Sequence, residues 1–208
     1  MVLNAAANAP SGGAGAPGDG LLARLRGATA EAHQALEDRL DLLRAPVSAA
    51  RVGGAIEGFF GFHEVWEPAM DAQPALAALC SGRSRLAAIR GDLIALGRDA
   101  ATIAALPRCA AAAGLAATPW RALGSLYVLE GSTLGGQVIN RTLAGQSWAP
   151  PGGLATFNPY GSETGARWRA FRAGAEALAP AGSHDDVVKG ALAAFALLTE
   201  WLPRRLPQ

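Results

Sequence analysis

Apolar residues recur every three or four positions along most of this chain and almost nowhere alternate. That period marks amphipathic helices, each turning one face to a core. The first stripe is Leu22, Leu25, Thr29, His33, Leu36, Leu40 and Leu43. It predicts a helix opened by Asp19, running to about Leu43 and ended by Pro46. Ser48 is placed to cap a second helix with Val52, Ile56, Phe59, His63 and Trp66 on its inner face and Pro68 near its end. The stretch 70–82 reads as a short helix or loop about Pro74. A third long helix is expected over 83–96, through Leu86, Ile89 and Leu93, stopped by Gly97. The alanine-rich 99–118 reads as short helices. Thr118 followed by Pro119 is a strong start signal for a glycine-rich helix. A loop over 144–159 carries paired prolines and glycines. A helix over 164–178 is expected to turn Trp168 and Phe171 inward. Ser183 to Asp186 resembles a capping box and opens a last helix through Val187, Val188, Ala191, Phe195, Leu198 and Trp201. The expectation is an all-α fold: one helical domain over 21–206 behind a disordered tail over 1–20, which has too few bulky residues to pack.

Composition narrows the function classes. The 208 residues suffice for one domain with a sizeable core. A formal net charge of +1 and the absence of a Lys/Arg cluster argue against a nucleic-acid surface. No apolar run reaches membrane-spanning length, and the N-terminus lacks the pattern of a secretory signal, so a cytoplasmic protein is expected. Cys80 and Cys109 make neither a disulfide framework nor a metal knuckle and read as small apolar residues. His184, among Ser183, Asp185 and Asp186, reads as solvated.

Two stretches stand out. Between Gly124 and Gln137, four of fourteen positions are glycine. A helix there gives up roughly 3–4 kcal/mol in propensity. Gly124, Val128, Gly131 and Gly135 fall on one face, flanked by Tyr127 and Ser132. Taken alone, the segment suits tight helix–helix packing or a flat ligand, and packing is the commoner case. The second stretch is the first helix. His33 and His63 both lie on apolar stripes, where a histidine is more often a core residue than a ligand. For His33 the neighbours favour a ligand. Glu37 is one turn on and can take a ring N–H, leaving the other nitrogen to a metal. Arg26, two turns back, can reach an anionic group held above it. No partner ligand stands at a zinc-like spacing, so a metal on His33 must bring most of its own ligands, and haem iron meets that condition.

Together these residues resemble haem oxygenase. LRGATAEAHQALE (Leu25–Glu37) is similar to that family's proximal-histidine motif, and LYVLEGSTLGGQ (Leu126–Gln137) to its distal-helix motif in the bacterial branch that supplies biliverdin to bacteriophytochromes. Weaker matches are FFGFHEVWEP, RLAAIRGDLIALG and YGSETGARWRAF. The resemblance implies an all-α bundle with haem b between the first helix and a kinked glycine-rich distal helix. It implies His33 as the iron ligand, Glu37 as its hydrogen-bond partner, and Arg26 and Tyr127 near the haem propionates. Gly131, Ser132, Gly135 and Gly136 take the catalytic distal positions. Ser132 stands where the animal enzymes carry an aspartate that organises water. The implied products are biliverdin, carbon monoxide and ferrous iron. The implied partners are an external reductase or ferredoxin as electron donor and a bacteriophytochrome as acceptor. Two alternatives remain at this stage: a non-catalytic haem or bilin carrier, and a haem-free relative on the same fold such as a thiamin-degrading enzyme. The latter needs a nucleophile, and only Cys80 and Cys109 offer one.

Overall fold

The computed structural model describes residues 20–207. Asp19 and nearly all of the expected tail lie outside this range. The described residues form eight α-helices joined by loops and short 3-10 turns, with no strand among them. They are α1 (Leu21–Leu40), α2 (Ala49–Asp71), α3 (Ala77–Cys80), α4 (Leu86–Ala95), α5 (Ala100–Ala105), α6 (Pro119–Ala144), α7 (Thr164–Leu178) and α8 (His184–Trp201). The fold is therefore all-α. No helix among the described residues is long and apolar enough to cross a membrane.

Several boundaries follow the local signals. Ser48 accepts a hydrogen bond from Arg51 N–H and Thr118 accepts one from Arg121 N–H, so both side chains cap the helices they were expected to open. The first helix stops at Leu40, three residues short of expectation. Asp41 adopts a left-handed φ of 41° and donates its N–H to Glu37 O at 2.9 Å, which ends the helix before Pro46 is reached. The third long helix starts at Leu86 rather than Arg83. The residues before it are held by another element: Ser84 Oγ and Arg85 N–H donate to the Glu67 carboxylate of α2 at 2.6 and 2.9 Å.

The capping box does not form. Ser183 Oγ donates to Pro180 O at 2.7 Å and makes no cap bond to α8. His184, expected in solvent, is buried at 7% exposure. It shares the inner face of α8 with Val187 and Ala191, at offsets of three and seven, while Asp185 and Asp186 point outward.

α6 and α8 form the largest helix pairing, and glycine permits it. A Cβ on Gly124 would stand 2.0 Å from Val187 O, and one on Gly190 would stand 2.3 Å from Arg121 O. The two backbones are in contact here, so packing is the correct reading for Gly124. α1 also packs on α8. α1 and α6 thus rest on a common helix, and a cavity opens between them further along.

Candidate active site

The cavity has a volume of about 630 Å³, within the usual range of small-molecule sites. Arg26, His33 and Glu37 of α1 line it, as do Tyr127, Gly131, Ser132, Gly135 and Gly136 of α6. All eight residues singled out in the sequence therefore face one space. Phe59 and His63 of α2, Trp168 of α7, Phe195 of α8 and the 156–157 loop complete the walls.

On α1, the His33 ring meets Phe195 edge-on, with centroids 5.8 Å apart. Its side chain remains 34% exposed, toward the cavity, and its Nε2 is 3.6 Å from Glu37 Oε1. That carboxylate oxygen is buried and finds no hydrogen-bond donor among the described residues. Burial pushes the Glu37 carboxyl above its usual pKa, with the nearby His33 pulling the other way. A small rotation of the imidazole would bring an N–H onto this acceptor and leave the other ring nitrogen for iron. The pair therefore fits an imidazole–iron bond.

On α6 the glycines divide by role. A Cβ on Gly131 would meet Trp168 at 3.6 Å, an ordinary contact, so nothing in the protein packing demands glycine there. A Cβ on Gly136 would stand 2.0 Å from Phe157 O. Gly136 thus lines the cavity while its size serves the loop behind it. That loop is pinned by Asp92, whose carboxylate accepts from Ala155 N–H, Thr156 N–H and Thr156 Oγ. α6 stays helical through all four glycines.

Two arginines, Arg26 and Arg172, act on the Tyr127 hydroxyl. Burial raises the Tyr127 hydroxyl above its usual pKa; a hydrogen bond with Thr29 and the charges of Arg26 and Arg172 oppose this. Arg172 was not singled out in the sequence. It lies four residues beyond Trp168, hence on the same face of α7, and that spacing was the available signal.

Two more groups line the cavity: Arg85, not singled out in the sequence, and His63, weighed there as a core residue. Arg85, 6% exposed, donates to Leu129 O and, at 3.4 Å, to Ser132 Oγ, which itself donates to Leu129 O at 2.7 Å. A guanidinium therefore stands beside Ser132. The hint was the Arg83–Ser84–Arg85 run before a helix, where the dipole disfavours cations unless they are paired elsewhere. His63, 1% exposed, is the second. Its Nδ1 is 2.9 Å from Glu67 Oε1. Glu67 also accepts from Ser84 and Arg85. Burial works against its charge, but these hydrogen bonds, His63's first, hold its pKa below the usual range. The ion can only accept, so His63 donates to it from Nδ1. Burial keeps His63 below its usual 6.5, with Arg85 adding to the effect and Glu67 opposing it. The folded state thus resists a proton that the unfolded state accepts below pH 6.5. Stability should fall as pH drops from neutral, and a His63→Gln variant should show a shallower decline in thermal midpoint between neutral and about pH 5.

Among the described residues, no group of three or more His, Cys, Asp or Glu side chains could hold a metal ion. Burial raises the thiol of Cys80 to about 11 and raises that of Cys109 as well, leaving both poor nucleophiles. A protein named heme oxygenase from Xanthomonas campestris pv. campestris (strain 8004) is 39% identical over 115 residues, 55% of this chain and 64% of that protein. The chain thus spans a little under two thirds of that relative's length. The sequence model of the family described as heme oxygenase matches residues 19–204, nearly all of the chain. The protein belongs to the haem oxygenase family.

Proposed function

We propose that this protein binds haem b as its substrate and cleaves it with dioxygen to biliverdin, carbon monoxide and ferrous iron. One observation carries the reading. An imidazole with a buried carboxylate behind it and a wall of glycine backbone, from two different helices, face the same cavity. A flat macrocycle needs both: a nitrogen on one side, and on the other a surface without side chains.

The residues divide the work. His33 holds the iron, and Glu37 orients His33. Arg26, Tyr127 and Arg172 receive the propionates and so fix the direction in which the ring enters. Haem iron supplies the place where oxygen is reduced, and a neutral imidazole leaves that iron less electron-rich than a thiolate would. Gly131 and Gly135 let the α6 backbone close on the reacting face, and Gly136 keeps the next turn of α6 against the 156–157 loop. Arg85 and the Ser132 hydroxyl oxygen beside it orient the water that delivers protons to that face. Electrons come from an external reductase or ferredoxin. The protein acts in the cytoplasm, and its biliverdin serves a bacteriophytochrome.

Optical titration with haem tests binding, and a ferrous chelator added with reductant and air tests iron release. A bound haem that survives reductant and air would favour a carrier. Arg26→Ala and Arg172→Ala should each weaken haem binding about tenfold, because each removes one charge-assisted contact of roughly 1.5 kcal/mol. The ligation spectrum should not change. Affinity equal to wild type in both variants would remove the arginines from the propionate site.

A further inference from the structure

The back of α6, away from the cavity, carries a buried carboxylate that haem cleavage as described does not use. Glu130 is 2% exposed and adjoins Gly131 and Ser132. A carboxylate at that depth keeps its charge only when paired and hydrogen-bonded. Its Oε2 accepts from the Arg83 guanidinium. Its Oε1 accepts from the Tyr160 hydroxyl at 2.7 Å, and Arg85 stands 3.5 Å from the same oxygen.

These partners reach the cavity wall. Arg83 also donates to Arg167 O on α7 at 3.3 Å, and its guanidinium lies over the Phe171 ring. Phe171 stacks on Trp168 at 5.5 Å, and Trp168 is the nearest side chain to Gly131. Arg85 holds Leu129 O, the carbonyl to which Ser132 Oγ also donates. One carboxylate therefore ties α6 to α7 and to the residues ahead of α4, at the level where the glycine backbone meets the cavity. Glycine gives that stretch little stiffness of its own, so its position has to be imposed from behind.

We propose that Glu130 is a positioning residue: its carboxylate sets how deeply Gly131 and Ser132 stand over the bound ring, and so which edge of the ring is cleaved. The proposal rests on the haem-cleavage reading. Glu130 touches no substrate and acts through Arg83, Arg85 and Tyr160.

Two variants of the full chain test it. Glu130→Gln keeps the shape and an acceptor but removes the charge. Tyr160→Phe keeps the charge and removes one hydrogen bond. Each is loaded with haem and read three ways: the pH of the acid-to-alkaline colour change of the ferric complex, the cleavage rate, and the biliverdin isomer composition by chromatography. Glu130→Gln should bind haem, shift the colour change, alter the isomer composition and slow cleavage about tenfold, as loss of a supporting contact typically does. Tyr160→Phe should move all three in the same direction by less. A lowered melting temperature with wild-type colour change, isomers and rate would reduce Glu130 to a structural ion and overturn the proposal. If Glu130→Gln does not fold, a Tyr160→Phe protein that matches wild type in all three readouts overturns it equally. Failure of the haem-cleavage reading itself shows earlier and separately: the wild-type protein would leave haem intact, and the proposal would fall with it.

Discussion

His33→Ala protein will fold but will not give a histidine-ligated haem spectrum. Within the cavity, His33 and His63 are the two imidazoles, and their surroundings differ in kind. His63 is buried, neutral and already committed through Nδ1 to Glu67. His33 is open to the cavity, and the carboxylate behind it lacks a donor. His33 is the imidazole exposed enough to give a nitrogen to a ligand, with a partner waiting for the other, whereas the His63 ring is almost wholly buried. Removing a supporting carboxylate typically costs roughly 10–100-fold in metal affinity. Glu37→Ala should fall in that range and His33→Ala beyond it. His63→Ala should keep the ligation spectrum. Added imidazole should restore the spectrum in His33→Ala, because the truncated side chain leaves room in the cavity. A histidine-ligated spectrum that persists in His33→Ala and vanishes in His63→Ala would reverse the assignment.

The second large effect separates two glycines on one helix. Gly124→Ala puts a Cβ 2.0 Å from Val187 O and 2.6 Å from Ala191 N. Both atoms are backbone, so no side chain can turn away and α6 and α8 must move apart. Overpacking of a core usually costs about 1–3 kcal/mol, and a rigid clash belongs at the upper end despite alanine's better helix propensity. At about 2–4 °C per kcal/mol for a domain of this size, the thermal midpoint should fall by roughly 10 °C. Gly131→Ala should do the opposite in calorimetry. Its new methyl meets only Trp168, at 3.6 Å, and replacing a helical glycine gains up to about 1 kcal/mol. The same methyl enters the cavity, and a small misplacement of a reacting group can cost about 100-fold in rate. A more stable but slower protein is therefore expected. Equal destabilisation by both substitutions would show that Gly131, too, is a packing residue.

These two glycines show where sequence reading reaches and where it stops. Seven residues apart, they share a helical face, and periodicity alone could only assign them together. α8 crosses that face at Gly124 and has left it by Gly131, so one end packs and the other opens. Caps such as Ser48 and Thr118 were legible because the hydrogen bond spans three residues. The start of α4 was not, because Glu67 in another helix holds the residues ahead of it. The His33–Glu37 pair and Arg26 were legible as one face of one helix. Arg85 and Glu130 were not: they are 44 or more residues from some of the partners that neutralise them, and in a linear sequence a charged residue reads as solvated. His184 failed for the converse reason, since its polar neighbours suggested a surface while its offsets to Val187 and Ala191 placed it inside.

On the proposed function, a macrocycle lying between His33 and the glycines of α6 is broken there. Haem-loaded protein supplied with electrons in air tests it in one trace. The Soret band should decay as a broad bilin absorption rises. Catalase should not prevent the change, because the reaction belongs to the site rather than to free peroxide. A Soret band that holds steady while electrons are consumed, or a loss of haem that catalase abolishes, would contradict the claim.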